Sequence, residues 1–200
     1  MRKREKMINE RCIIFDEMTN ALDFLEKSFY FLQTVEQEPQ NWKWVIITIH
    51  SAIYGFAVSA CRGPNSESVI IKTKNGDKKL IYFEEALRRC QDPDFMRVNI
   101  NYKYYKFSDK QKSSLRRLQK IFRNNFEHFT PKTWLIEIHE MPLLILDCLD
   151  VIKMIIDFSG TGLRLRSSRF RKSKSIIYNG KKIIKNSLLY KETLALISNI

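Results

Sequence analysis

Hydrophobic residues recur at three- and four-residue spacing along much of the chain, which is the pattern of amphipathic helices. The first such stretch covers residues 21–38 and follows Asn20, a good N-cap residue. Its apolar face consists of Leu22, Leu25, Phe29 and Leu32. The second stretch, residues 42–62, follows Asn41 and is apolar over most of its circumference. A helix of that kind belongs at the centre of a bundle, so we expect the other helices to bury it.

Three more helices are predicted further along the chain. Residues 83–90 form a short one, and Ser108 opens a longer one in a Ser-x-x-Gln capping-box pattern. The longer helix should end near Phe129, because Pro131 disfavours helical geometry in the residue before it. The last helix of the bundle is expected over residues 142–158.

Two Asn-Gly pairs lie between short runs of β-branched or aromatic residues. Each pair predicts a β-hairpin, because it tolerates positive φ at both turn positions. One hairpin is expected over residues 69–83 and the other over residues 176–184. Residues 188–197 are predicted to form a short final helix.

Taken together, these patterns predict a mostly all-α protein. A helical bundle occupies residues 20–159 and carries the first hairpin as an insertion. A charged segment, residues 1–19, precedes the bundle, and a small basic appendage, residues 160–200, follows it. A chain of 200 residues is long enough for one such core, so we look for one active site.

The net charge indicates a class of partner. The chain carries 35 lysines and arginines against 22 acidic residues, which gives a net charge of +13. Such a surface attracts polyanions, and nucleic acid is the first candidate. A charge that serves only solubility is the alternative.

The cysteines lie far apart, and no two of them have the spacing of metal ligands. They are Cys12, Cys61, Cys90 and Cys148. We expect free thiols in a reducing compartment, with no metal or other cofactor. The basic N-terminus lacks the apolar core of a signal peptide, and charges interrupt the longest apolar stretch, residues 141–158. The prediction is a cytoplasmic protein that does not cross a membrane.

Two segments have a composition suited to RNA binding. In the loop over residues 99–107, the rings of Tyr102, Tyr104 and Tyr105 could stack on bases while Lys103 and Lys106 contact phosphates. An ordinary β-prone edge segment is the alternative for this loop. In the basic appendage, the arginines expected to add affinity for phosphates are Arg164, Arg166, Arg169 and Arg171.

The residues that best fit a chemical role lie near the end of the helix that Ser108 opens. They are Arg123, Asn124 and His128. Metal-free RNA cleavage needs a group that exchanges protons near neutral pH, and histidine has an ordinary pKa of roughly 6.5. The reaction also builds negative charge around phosphorus, which a guanidinium binds. We interpret His128 as the proton-transfer group, Arg123 as the group that stabilises the transition state, and Asn124 as an auxiliary that orients a catalytic group or contacts ribose.

The spacing of the motif raises a geometric question. On a straight helix Arg123 and His128 point about 140° apart, too far to act on one phosphate. Either the helix bends near Pro131, or two chains pair so that both residues of each line a shared cleft. The alternative without chemistry is an Arg123–Glu127 ion pair of ordinary helical spacing, with His128 capping the helix end.

The motif RNNFEH resembles the Arg-x4-His signature of HEPN domains. The longer runs that are similar to the plasmid- and defence-associated HEPN subfamily are RNNFEHFTPKTWLIEI, PLLILDCLDVIKMII, WKWVIITIHSAIYGFAVSACRG and EEALRRCQDP. The resemblance covers roughly residues 20–158. It implies an antiparallel up-and-down bundle, frequent homodimerisation and, in many members, metal-independent endoribonuclease activity, with Arg123 and His128 as the catalytic pair. The hairpin over residues 69–83 departs from a minimal bundle.

The expected function is therefore a metal-independent endoribonuclease in a toxin or antiviral defence system. RNA is the expected substrate, a homodimer the expected assembly, and an antitoxin or another defence protein a further candidate partner. The alternative is a non-catalytic module of the same fold that binds RNA or another protein.

Two other groups of polar residues are expected to be structural. His50 lies on the apolar second helix, where a buried histidine with satisfied hydrogen bonds is commoner than a catalytic one. The aspartates of the last bundle helix are predicted to form a solvated face, with a carboxylate metal site as the alternative. They are Asp147, Asp150 and Asp157.

Overall fold

The computed structural model describes residues 13–62, 66–96, 105–128, 131, 133–158 and 167–198. These residues are mostly helical and include one two-stranded antiparallel sheet, which confirms the predicted fold class. The buried hydrophobic side chains form one core cluster.

The first helix, α1 (Glu17–Leu32), begins earlier than predicted. Its N-cap is Asp16, whose Oδ1 accepts a hydrogen bond of 2.6 Å from the Thr19 N–H, while the Thr19 hydroxyl accepts one of 2.9 Å from the Asp16 N–H. This capping box satisfies the first turn, so the predicted cap, Asn20, lies inside the helix instead.

The second helix, α2 (Trp42–Arg62), has the predicted bounds and follows a 3₁₀ turn, Pro39–Asn41. It packs mainly against α1 and also against several later segments, and side chains all along it, such as Ile46 and Phe56, are fully buried. The stretch Pro39–Arg62 is long and apolar enough to cross a membrane, but 72% of its most apolar window is buried inside the fold. That degree of burial is typical of the central helix of a soluble protein.

The predicted hairpin is present beside the bundle. Strands β1 (Ile70–Lys72) and β2 (Lys78–Leu80) pair antiparallel, with Ile70 opposite Leu80. The turn needs Gly76, whose φ of +86° a residue with a side chain rarely adopts. After the hairpin come α3 (Phe83–Cys90), with the predicted bounds, and a single turn, α4 (Pro93–Met96).

The helix that carries the Arg-x4-His motif changes its hydrogen-bond pattern along its length. It begins as α5 (Asp109–Arg117) at the predicted capping box of Ser108. It continues as a π-helical segment, Leu118–Arg123, and a final turn, α6 (Asn124–Glu127). A π-helical segment inserts an extra residue into a turn and occurs frequently at functional sites. The hydrophobic spacing did not predict it.

The last predicted bundle helix is α7 (Met141–Phe158), and its aspartates do not form a solvated face. Asp147 is 9% exposed and accepts a 2.6 Å hydrogen bond from the Ser114 hydroxyl of α5. The other two aspartates face lysines, because the C-terminal helices pack against this side of α7. The predicted solvated face is therefore wrong for Asp147 and Asp157, while the side chain of Asp150 stays 47% exposed, and all three carboxylates join α7 to its neighbours.

The second predicted hairpin, residues 176–184, is wrong. These residues lie inside a continuous helix, α8 (Ser167–Asn186), followed by the predicted final helix, α9 (Leu188–Ser198). The reason is packing: Ile176, Ile177 and Ile184 repeat at helical spacing and are buried in the bundle core. The described part of the appendage thus folds onto the bundle.

Gly180 provides a direct test of this helix. A methyl group at position 180 would meet Leu149 Cδ1 at 3.4 Å and Leu32 Cδ2 at 3.8 Å, which are ordinary contacts. We expect Gly180→Ala to raise the free energy of unfolding by about 0.5–1 kcal/mol, because alanine favours a helix more than glycine does. Urea denaturation measures the change. A loss of stability would instead indicate a hairpin turn with positive φ at this position.

The three cysteines that the structure describes, Cys61, Cys90 and Cys148, are buried free thiols. The Sγ atoms of Cys61 and Cys90 lie 3.5 Å apart, at a hydrogen-bond distance for thiols. The contact with Cys61 and complete burial raise the pKa of Cys90 well above its ordinary value. These thiols act as small apolar groups of the core.

Candidate active site

Arg123 is the last residue of the π segment, and its neighbours in sequence fix its guanidinium. Nη1 donates to Asn124 Oδ1 at 3.2 Å, and Nη2 pairs with Glu127 Oε2 at 2.5 Å. The side chain remains 30% exposed. The i,i+4 ion pair expected under the non-chemical interpretation is therefore present, and it holds Arg123 in place without burying it.

His128 follows directly after the end of the helix. Its φ of −102° and ψ of 104° are extended, and its backbone N–H donates to the Asn124 carbonyl oxygen at 2.9 Å. The residue is exposed. The helical path therefore breaks at His128 itself, so the straight-helix angle between Arg123 and His128 does not apply.

An aromatic cluster holds the motif segment on the bundle. The ring of Trp134 lies 5.1 Å from that of Phe126 and 6.3 Å from that of Phe122. Trp134 and Ile136 are half-buried, while Leu135 between them is 94% exposed, so the side chains of this extended segment alternate between bundle and solvent. This packing fixes the position of the turn that ends in His128.

Arg123 also lines a cleft of about 470 Å³ between α1, α2, the end of the hairpin and the π segment. The other described residues around it include Tyr54, Glu84 and Gln119, but not His128. Within the described chain, the structure thus places Arg123 at a cleft and His128 at an exposed helix end, and it does not bring both into one pocket.

The histidine that lines this cleft is His50 of α2. It is 6% exposed and stacks on Phe83, with 4.3 Å between the ring centres. Burial and the nearby charge of Arg123 lower the pKa of His50 to about 4, although Glu84 opposes the shift. His50 is therefore neutral at pH 7. The sequence does not indicate that His50 shares this cleft with Arg123, because the hydrophobic pattern around His50 is that of a core helix.

The residues predicted to bind RNA are only partly described. Lys103, Tyr104, Arg164 and Arg166 lie outside the described residues. Lys106, Arg169 and Arg171 are exposed. Tyr105 is buried, and its ring packs 5.7 Å from that of Phe107, so it is not available to stack on a base.

Several lysines of α8 pair with carboxylates of the bundle. Lys172 lies 2.6 Å from Glu26, and Lys174 lies 2.9 Å from Asp157. Lys181 pairs with Asp150. Partial burial alone would raise the pKa of Asp157, but hydrogen bonds from Lys153 and Lys174 lower it below its ordinary value. Part of the basic charge of the appendage therefore serves to attach α8.

In the described ranges, no three His, Cys, Asp or Glu side chains form a group that could hold a metal ion. Comparison of the chain with protein-family models, with characterised proteins and with solved structures found no match. The fold and the site define a mostly helical, basic protein of soluble type, with an arginine at a cleft and an exposed histidine where the same helix ends.

Proposed function

We propose that this protein is a metal-independent endoribonuclease that acts on RNA through Arg123, Asn124 and His128. The observation that supports it most is the arrangement at one helix end. Arg123 is held partly exposed by Asn124 and Glu127, and His128 is exposed where the helix stops. An accessible guanidinium and an accessible imidazole, on a chain with a net charge of +13, are two groups suited to metal-free RNA cleavage, because one binds phosphate and the other transfers protons near neutral pH.

Each residue has a defined role in this proposal. The ribose 2′-oxygen attacks the adjacent phosphorus, the bond from phosphorus to the 5′-oxygen breaks, and the products carry a 2′,3′-cyclic phosphate and a 5′-hydroxyl. The imidazole of His128 either takes the proton of the 2′-hydroxyl or gives a proton to the leaving 5′-oxygen, and solvent water takes part in the other proton transfer. Arg123 binds the negative charge that develops on the phosphate. Asn124 orients Arg123 through the hydrogen bond of 3.2 Å between their side chains.

A homodimer is part of the proposal. His128 is not among the described residues that line the cleft of Arg123, which favours a site in which one protomer supplies Arg123 and its partner supplies His128. We infer a cytoplasmic toxin or antiviral defence protein, with an antitoxin or other defence protein as a regulatory partner.

The test is a cleavage assay in excess chelator, with labelled single-stranded RNA and tRNA. We expect the unmodified protein to cut RNA, and Arg123→Ala and His128→Ala to cut it about 10²–10⁴-fold more slowly, because each removes one of the two charged groups of the transition state. Arg116→Ala is the matched control, since Arg116 is an exposed arginine of the same helix outside the motif. Equal rates in the control and the Arg123 variant would exclude the proposed role.

A mixing experiment tests the shared site. Arg123→Ala and His128→Ala chains, unfolded together and refolded, form mixed dimers that retain one intact arginine and one intact histidine. If the two chains share the site, the mixture regains part of the activity that each variant lacks alone. No recovery, from mixed dimers verified by mass, would place both residues of each site in one chain.

A non-catalytic RNA-binding module is the second candidate, and the Arg123–Glu127 ion pair favours it, because that pair gives Arg123 a structural partner. This candidate predicts RNA binding that weakens steeply with salt and leaves the RNA whole.

A further inference from the structure

The cleft beside Arg123 contains two buried polar atoms without a partner. They are His50 Nε2 and Arg123 Nε, and neither has a hydrogen-bond partner among the described residues. Both residues line the same cleft of about 470 Å³. A buried donor or acceptor left unpaired destabilises a fold, so two such atoms at one cavity indicate a ligand that pairs with them.

The charges around the cleft argue against a phosphate inside it. The described lining residues include two carboxylates, Glu17 and Glu84, against the single guanidinium of Arg123. His50 is neutral at pH 7 because burial and the charge of Arg123 lower its pKa to about 4, with Glu84 acting in the opposite direction. A ligand that offers hydrogen bonds without charge fits these surroundings better than an anion does.

The remaining lining groups fit a flat ring with donors and acceptors on its edge. Tyr82 is 61% exposed at the rim, and Phe83 stacks on His50. The amide of Gln119 lies at the cleft and donates to Glu84 Oε2 at 3.1 Å. Aromatic faces together with amide, carboxylate and imidazole groups are the means by which proteins bind the unstacked bases of single-stranded RNA.

We propose that this cleft binds one unpaired base of single-stranded RNA, with the base ring against Tyr82 and with a movement of the rim side chains that opens the buried His50 Nε2 and Arg123 Nε to the base edge. This inference rests on the proposed function, since it names the part of the RNA that the site recognises. A base held here brings its nucleotide to Arg123, and the cleft becomes the element that selects where the RNA is cut.

The test uses short RNAs that cannot be cleaved, because every ribose carries a 2′-O-methyl group. Fluorescence anisotropy in chelator gives the Kd for four sequences that differ in one base. We expect one base to be preferred, and Tyr82→Ala to weaken binding of that RNA about five- to a hundredfold, which is the range for loss of base stacking. His50→Asn should reduce the preference among the four bases. The matched control is Tyr178→Ala, which removes a tyrosine that is 69% exposed and is not among the residues lining this cleft.

The outcomes separate this inference from the proposed function. Unchanged affinity and base preference in folded Tyr82 and His50 variants would overturn the base site, whether or not the protein cuts RNA. A second outcome is that the unmodified protein prefers one base but cuts no RNA, and that the Tyr82 and His50 variants lose this preference. That outcome would support the base site and exclude the nuclease. Free nucleoside monophosphates that compete as well as the RNA does would overturn the assignment to RNA and indicate a free nucleotide.

Discussion

Replacing Gly55 by alanine is expected to lower the free energy of unfolding by about 1–3 kcal/mol. A Cβ atom at position 55 would lie 2.7 Å from the Cβ of Ala21, and 3.3 Å from both the Cα of Ala21 and the carbonyl oxygen of Glu17. All of these atoms belong to, or are attached directly to, the backbone of α1. None can turn away as the end of a flexible side chain can, so α1 and α2 have to move apart.

Urea denaturation of Gly55→Ala measures this change. Alanine in a helix gains about 0.5–1 kcal/mol over glycine, and the steric cost has to exceed that gain for the variant to be less stable. Gly180→Ala is the matched control, because it makes the same exchange in a helix where the new methyl group has room. If Gly55→Ala and Gly180→Ala gain stability equally, α1 and α2 do not approach each other closely at Gly55.

The second large effect concerns pH. We expect the protein to lose roughly 3 kcal/mol of stability through His50 as pH falls from about 6.5 to about 4. Burial and Arg123 lower the pKa of His50 from 6.5 to about 4 in the folded state. Between these values the unfolded chain binds a proton that the folded chain excludes, so acid favours unfolding. Above pH 6.5 both states are neutral at this residue, and its contribution no longer changes with pH.

The measurement compares the unmodified protein with His50→Asn by urea denaturation at several pH values. Carboxylates titrate in both proteins, so the difference between the two curves isolates His50. The variant should lose less stability on acidification than the unmodified protein does. Parallel curves would show that His50 is protonated as easily in the folded state as in the unfolded one.

The sequence predicted those elements in which local pattern and tertiary packing agree. The bounds of α2 and α3 match the predicted ranges, and Asn75 and Gly76 lie at the turn of an observed hairpin. In these segments the apolar periodicity, or the turn chemistry, is also what the packed fold requires.

The second predicted hairpin is wrong because long-range packing decides the structure there. Asn179 and Gly180 have the local chemistry of a hairpin turn, but burying three isoleucines against α1 and α7 favours a helix over residues 176–184. The start of α1 has a local cause instead, because the capping box of Asp16 and Thr19 begins the helix before the predicted cap, Asn20.

The chemistry of the motif residues and their resemblance to a known signature are visible in the sequence, but the structural setting of these residues is not. Nothing in the residue spacing indicates the π segment that ends at Arg123, because a π-helical turn depends on which backbone groups pair. The sequence also could not predict that His50 Nε2 lacks a hydrogen-bond partner among the described residues. A buried histidine has the same local sequence whether or not its ring nitrogen is hydrogen-bonded.

The attachment of α8 has a consequence for how RNA affinity depends on ionic strength. Each phosphate contact by a free cation releases a condensed counterion, and this release sets the slope of log affinity against log salt. Lys172, Lys174 and Lys181 already face carboxylates of α1 and α7, so they release few counterions when RNA binds. The salt slope should therefore be shallower than the formal charge of the chain implies, while added salt also weakens the hold of α8 on the bundle.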